Sequence, residues 1–317
     1  MPVTQCISYR TKKSKMLTGF DQIFAELQSR GSRKRMIAAW GVDGHTIAAA
    51  SKAVDLGLVD VTLVGDKDMI AAACAEEAVD VAKFAVVHNP AELPSVAQAV
   101  AMVREGEGDF LMKGLCSTDK FLRAILNKET GLLPPKGTLT HCTTLEIPGY
   151  HKLLFVGDVA VIPAPDFKQK MTIMDCLVKT AKAVGVEKPK VAIIAATEQV
   201  LPSQPATIEA AMLSKMVERG QIKGCIADGP LALDVAIDKE SADIKGLVSP
   251  VAGDADCLLF PNIESGNVFY KVNSKLVVGV RQAGMLVGAK VPCVLSSRAD
   301  SIDTKLNSIA VAAMSVK

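Results

Sequence analysis

Three stretches of the chain combine charged or hydroxyl side chains with the signals of a strand running into a helix. In Val291-Pro-Cys-Val-Leu-Ser-Ser-Arg-Ala-Asp-Ser-Ile-Asp303, an apolar run ends at Leu295 and a polar turn follows. An apolar helix then begins near Ser301 and continues through Leu306, Ile309, Ala310 and Ala313. Ser297 and Arg298 fall in the turn. A guanidinium there suits an oxyanion, because its fork donates two parallel hydrogen bonds, and the free N–H groups of a helix start add partial positive charge. Helix capping accounts for the remaining residues, with Asp300 or Ser301 as the cap and Asp303 in the first turn. In Leu111-Met-Lys-Gly-Leu-Cys-Ser-Thr-Asp-Lys-Phe-Leu-Arg123, a strand ends near Lys113, Gly114 opens a turn, and Ser117 or Thr118 caps a helix. Lys113, Lys120 and Arg123 then form either a local cationic wall or a solvated helix face. In Ala227-Asp-Gly-Pro-Leu-Ala-Leu-Asp-Val-Ala-Ile-Asp238, the Asp-Gly-Pro triplet is expected to halt a strand. Asp228 and Asp234 would shape a cleft there, although turn chemistry alone explains Gly229 and Pro230.

The elements that must position these turns alternate. Strand-like runs are Met36–Trp40, Val61–Val64, Phe84–Val87, Phe110–Met112, Lys152–Val156, Val191–Ala195, Cys225–Ala227, Cys257–Phe260 and Val291–Leu295. Helical spacing of apolar residues marks Ile47–Leu56, Val96–Val103, Phe121–Leu126, Met171–Ala183 and Ile208–Val217. Strands alternating with helices predict an α/β architecture with mostly parallel sheets, whose ligands lie outside the carboxyl ends of the strands. At about 150 residues per domain the 317 residues suggest two domains. Two glycine- and proline-rich zones, Gly131–Gly137 and Gly284–Pro292, mark the crossings between them. The expected division is residues 1–133 with 289–317 as a first domain, residues 1–15 being a flexible leader, and residues 134–288 as a second domain inserted in it.

Composition narrows the function. Lysine plus arginine is 36 and aspartate plus glutamate 34, a net charge of +2, with 49% hydrophobic and 22% charged residues. That excludes a disordered chain and offers no basic surface for a nucleic acid. No apolar run approaches the ~18 residues of a membrane span, and the basic first twenty residues contain no apolar signal segment. A cytoplasmic protein is expected. The eight cysteines show no C-x-x-C spacing and sit mostly in apolar runs, as small buried residues do. The four histidines are scattered and read as structural. No dinucleotide fingerprint, P-loop, H-E-x-x-H or nucleophile elbow occurs. Ser117-Thr-Asp-Lys120 matches S-x-x-K, but its companion motifs are missing.

Taken in order, the junctions resemble the phosphate acetyl/butyryl transferases, the butyryl branch most of all. The stretches that carry the resemblance are Leu111–Glu129, His151–Val156, Asp228–Asp234, Phe260–Lys271, Val287–Pro292 and Ser297–Ser301. It implies reversible conversion of a short-chain acyl-CoA and inorganic phosphate to acyl phosphate and CoA. It implies two α/β/α domains of the isocitrate dehydrogenase-like kind, the second inserted in the first, with the active site in the cleft between them. A homodimer, no metal, no permanently bound cofactor and coenzyme A as co-substrate follow from it too. Carried over residue by residue, Arg123 and Arg298 hold the phosphate, aided by Ser117 and Lys113. Ser297 bonds the phosphate or the reacting carbonyl. Asp303, or Asp300 as the alternate, serves as base on the CoA thiol, and Lys271 and Asn267 meet CoA. The chain departs from the family pattern at Gly157-Asp158, at Ile162, and at Leu201 and Ser203, where polar residues are expected. Those departures bear on acyl specificity. The rival readings are a phosphate acetyltransferase, a dehydrogenase on a related fold, and a family member that only binds CoA.

Overall fold

The computed structural model describes residues 16–295 and 300–316. Its first portion repeats one unit, a short apolar strand followed by a helix with one apolar face. After α1 (Phe20–Ser29) come β1 (Lys34–Ala39), α2 (Gly44–Asp55), β2 (Val59–Gly65), α3 (Lys67–Glu76), β3 (Ala85–His88), α4 (Glu92–Arg104), β4 (Phe110–Lys113) and α5 (Thr118–Leu126). The second portion holds β5 (Thr140–Glu146), β6 (Leu154–Gly157), α6 (Phe167–Ala183), β7 (Lys190–Ile194), α7 (Pro205–Glu218), β8 (Ile226–Leu231), α8 (Leu233–Ile237), α9 (Lys239–Ile244), β9 (Cys257–Leu259), α10 (Ile263–Leu276) and β10 (Arg281–Val287). The chain closes with β11 (Cys293–Val294) and α11 (Ile302–Ser315).

The strands form one 11-stranded sheet, ordered β3-β2-β1-β4-β11-β10-β5-β6-β9-β7-β8. The α/β class with largely parallel pairing is as expected, but the two portions are joined edge to edge. β10 runs antiparallel to both β11 and β5, and β5 antiparallel to β6. β5 and β10, which make this bridge, carry no strand signal in the sequence. β5 is rich in polar residues, yet Thr140, His141, Thr143 and Thr144 are all buried. β10 contains Gly284, which reads as punctuation. Its real role is clearance, because a Cβ there would lie 3.1 Å from both the His141 ring and the Leu295 carbonyl oxygen. The expected halt at Asp228-Gly-Pro is corrected likewise, since β8 runs through it to Leu231. β8 is the edge strand, where proline's missing N–H is tolerated, and its register with β7 shifts at Ala192/Ile194.

β11 is seated between β4, to which it is parallel, and β10. The last helix, α11, is buried along nearly its whole length and packs on α2, β10 and α1. Residues from near the end of the chain therefore complete the sheet begun by its first third. The seven described cysteines are buried and unpaired. No helix among the described residues is long and apolar enough to cross a membrane.

Two polar networks stiffen the second portion. At the amino ends of β6, β9 and β7, the buried Lys152 ammonium bonds Asp254 Oδ1 and Asp256 Oδ1, each at 2.8 Å. Lys190 and His151 also hold Asp254, at 2.6 and 2.8 Å. At the carboxyl end of β6, the buried Asp158 accepts from Thr140 Oγ1 (2.6 Å) and His141 N (3.1 Å) through one oxygen. Through the other it accepts from Ala160 N (2.7 Å) and Val161 N (2.8 Å). All four bonds to a carboxylate come from its own neighbourhood, so the loop after β6 is fixed to β5.

Candidate active site

Because β1, β4 and β11 are adjacent and parallel, the turns that leave β1 and β4 stand side by side. Asp43 caps α2, its Oδ1 accepting from Thr46 N at 3.0 Å. Ser117 caps α5, its hydroxyl accepting from Lys120 N at 3.3 Å. Ser301 caps α11, accepting from Thr304 N at 3.1 Å. Helix starts gathered at one end of a sheet give that end a positive potential. The first two turns are sewn together, with Gly114 N donating to Ala39 O and Leu115 N to Trp40 O, both at 2.9 Å. Gly114 is required by this approach, since a Cβ on it would lie 2.2 Å from the Trp40 carbonyl oxygen. Neither backbone can yield cheaply. We expect Gly114→Ala to lower stability by about 1–3 kcal/mol, the usual cost of overpacking, and to lower activity beyond the loss of folded protein. Urea unfolding alongside specific activity checks both.

Between the turns lies a cavity of about 300 Å³, lined by Asp43, Gly44, His45, Glu76, Glu77, Lys113, Gly114, Leu115 and Lys305. Lys113 is buried and its ammonium donates to Gly114 O (3.1 Å) and Cys116 O (2.9 Å), bracing the turn. Lys305 enters from the second turn of α11 and is 4% exposed. Burial pulls its pKa down, against the opposing pull of the Asp43 and Asp300 carboxylates. The second oxygen of Asp43, Oδ2, is buried without a hydrogen-bond partner among the described residues.

Asp300 precedes the α11 cap, and its charge reaches three neighbouring groups. It partly offsets the burial that lowers Lys305 and His141, and it adds to the burial that pushes Tyr270 up to about 12. Asp303 is placed differently. Its carboxylate is 75% exposed and pairs with Lys52 at 3.2 Å. The alternate carboxylate, not the first choice, therefore faces the interior groups.

The remaining sequence candidates divide. Ser297 and Arg298 lie outside the described residues. Arg123 is on α5 with its side chain 80% exposed, its Nε bonded to Asp119 Oδ2 at 2.9 Å, and it does not line the cavity. Lys120 pairs with Glu92. Asn267 donates to Val159 O at 2.9 Å, so its amide holds the loop after β6. Lys271 is exposed, with its ammonium 5.1 Å from the centre of the Tyr270 ring. Of the departures from the family pattern, Ile162 is buried in the core. The Leu201 backbone is bonded at both N and O by Thr207 Oγ1. Asp43 and Lys305 escaped the sequence reading. The available signals were an Asp-Gly pair straight after a strand and a lone lysine in the apolar run that forms α11. Among the described residues no three histidine, cysteine or acidic side chains gather closely enough to hold a metal ion.

Residues 92–313 match the family described as phosphate acetyl/butaryl transferase. The chain is 44% identical over 299 residues to the phosphate butyryltransferase of Clostridium acetobutylicum, covering 94% of this chain and 98% of that one. It is 41% identical over 278 residues to the phosphate acetyltransferase of Rhizobium meliloti, covering 88% and 87%. A branched-chain phosphotransacylase from Enterococcus faecalis superposes with a TM-score of 0.79 at 27% identity, over 89% of this chain and 99% of that one. The chain belongs to the phosphate acetyl/butyryl transferase family and is an acyltransferase.

Proposed function

We propose that this protein transfers a short-chain acyl group, butyryl in first place, between CoA and inorganic phosphate. The observation that carries the reading is the seating of β11 beside β4. It sets β11, which leads toward the Ser297-Arg298 pair, beside the strand that ends at Lys113, although the two strands lie far apart in the chain. Phosphate attacks the thioester carbonyl, the C–O bond forms as the C–S bond breaks, and the thiolate leaves as CoA. The groups that hold phosphate are Arg298, Ser297 and, on the α5 side, Arg123, with Ser117 and Lys113 behind them. Arg123 must leave Asp119 to do this, and an exposed i,i+4 pair is worth only about 0.3–0.5 kcal/mol. Positioning and charge supply most of the rate, as the reaction needs no redox step.

In the reverse direction a base must take the CoA thiol proton, since a free thiol near pKa 8.5 is only slightly ionised at neutral pH. Asp300 is the better placed carboxylate, on account of its interior neighbours. We expect Asp300→Asn to lower kcat by about 10²–10⁴, the usual share of a general base, and Asp303→Asn to change it little. Assay of butyryl phosphate with CoA across pH checks the pair, and the opposite ranking would return the role to Asp303. Lys271 and Asn267 flank the CoA side in this reading. Residues 1–133 with 289–317 and residues 134–288 act as two units with acyl-CoA between them. A homodimer in the cytoplasm completes the proposal, supported by the exposed Val268, Val272 and Leu276 along one face of α10.

The test is to incubate purified protein with acetyl-, propionyl- or butyryl-CoA and phosphate, and to follow thiol release. Butyryl-CoA should give the highest kcat/KM. Greater activity with acetyl-CoA would favour the phosphate acetyltransferase reading, and no release from any of the three would end the proposal.

A further inference from the structure

We propose that His141 is a positioning residue of the site, its imidazole holding the Leu295 carbonyl where β11 ends and so fixing the point from which the chain leaves toward Ser297 and Arg298. This deepens the proposed function and rests on it. Three observations carry it.

The first is the accounting of backbone bonds at the end of β11. β10 and β11 pair at Leu286 with Cys293 and at Met285 with Val294. One pair further along, Gly284 would face Leu295, but its N–H donates to Ser308 Oγ of α11 at 2.9 Å. Leu295 is buried, and a buried carbonyl needs a donor. The imidazole of His141, on the second strand over, bonds this carbonyl in place of the ladder.

The second is how the ring reaches it. His141 stands on β5 opposite Leu286 of β10, and Thr143 stands opposite Gly284. The ring crosses β10 at Gly284, where the strand has no side chain. A Cβ there would lie 3.1 Å from ring atoms Cε1 and Nε2 and 3.1 Å from the Leu295 carbonyl oxygen, so ring and carbonyl meet over this glycine. Nδ1 lies 3.3 Å from Thr143 Oγ1, which leaves Nε2 for Leu295. A carbonyl only accepts, so Nε2 carries the proton and Nδ1 accepts from the threonine hydroxyl.

The third is what a histidine costs and supplies here. His141 is buried. Burial favours its neutral form, against the Asp158 carboxylate, the Leu295 carbonyl and the Asp300 carboxylate. An aliphatic side chain would fill the space with no polar atoms to desolvate. The imidazole adds a fixed distance and direction. Its own backbone N–H donates to Asp158 at 3.1 Å, so the exit of β11 is tied through β5 to the loop after β6. Leu295 and Asp300, which flank residues 296–299, both act on this one ring. A shift of about 1 Å in groups that hold a substrate can cost about 10²-fold in rate.

His141→Leu and His141→Gln form the test, since leucine keeps the bulk and glutamine keeps an N–H donor as well. We expect His141→Leu to raise the phosphate KM about tenfold or more while the butyryl-CoA KM stays within about twofold, and His141→Gln to recover most of that loss. A histidine that serves stability alone would lower the thermal midpoint and the amount of active enzyme but leave both KM values in place, and that result would overturn the assignment. If the leucine variant does not fold, Gly284→Ala carries the same expectation, because its methyl group would push between the ring and the Leu295 carbonyl. Separately, inorganic phosphate in excess should raise the thermal midpoint of the wild type more than that of His141→Leu, a readout that needs no turnover. Equal shifts together with an unchanged phosphate KM would overturn the inference. If the wild type transfers no acyl group yet the two shifts still differ, the functional reading fails and this assignment stands.

Discussion

Replacing Lys152 with methionine is expected to remove about 3–5 kcal/mol of unfolding free energy, the usual result of breaking a buried ion pair from one side. The Lys152 and Asp256 side chains are 7% and 5% exposed, and the ammonium meets two carboxylates and the Asp254 carbonyl. Lys190 is already committed to Asp254, so the methionine variant leaves the Asp256 carboxylate buried without a cation. The urea midpoint should fall with the slope unchanged. Adding Asp256→Asn should recover part of the loss, because the two changes share one network. Acid behaviour gives an independent reading. Burial alone would raise Asp254, but bonds from Lys152, Lys190 and His151 outweigh it and hold the group well below the usual carboxylate range. Its folded pKa is thus below its unfolded one, near 3.9. The stability it contributes is present above that value and is lost as pH falls further. The variant should show a shallower loss between about pH 4 and 2 than the wild type. A midpoint unchanged at neutral pH would mean that water reaches Asp256 and the pair is not buried in solution.

Arg298→Ala is expected to lower kcat/KM for phosphate by about 10²–10³, the scale of losing one donor aimed at developing charge. Arg298 lies outside the described residues, in the stretch of chain that links β11 to α11. A guanidinium gives two parallel bonds to a phosphate face, so Arg298→Lys should recover only a small part. The thermal midpoint should be nearly unaltered, and measuring it separates a loss of phosphate binding from a loss of folded protein. Full activity of Arg298→Ala at limiting phosphate would remove this arginine from the site.

Much of the fold was legible because periodicity reports burial. The strands of the first portion, the capped starts of α5 and α11, and the return of the last strand and helix all follow from apolar runs bounded by turn residues. β5 and β10 were not legible. A strand buried on both faces among other strands needs no alternation, and threonine, histidine and glutamine can be buried there when neighbours bond them. The glycine in β10 was misread for a related reason. Glycine marks a turn when the backbone needs its freedom and a close approach when a neighbour needs its space, and only the neighbours distinguish the two.

The site divides the same way. The family and the reaction class were carried by the sequence alone, since short ordered motifs keep their chemistry wherever the chain is traced. Which carboxylate faces inward was not, because Asp300 lies before the Ser301 cap and Asp303 in the first turn of α11, and only the packing around them decides that the charge of one acts on Tyr270 and Lys305 while the other pairs with Lys52. Asp43 and Lys305 are 262 residues apart in the chain and share one cavity. No spacing rule joins residues so distant. The sheet order joins them, by closing β11 against β4 and laying α11 across α2, and that order is fixed by the packing of the whole chain.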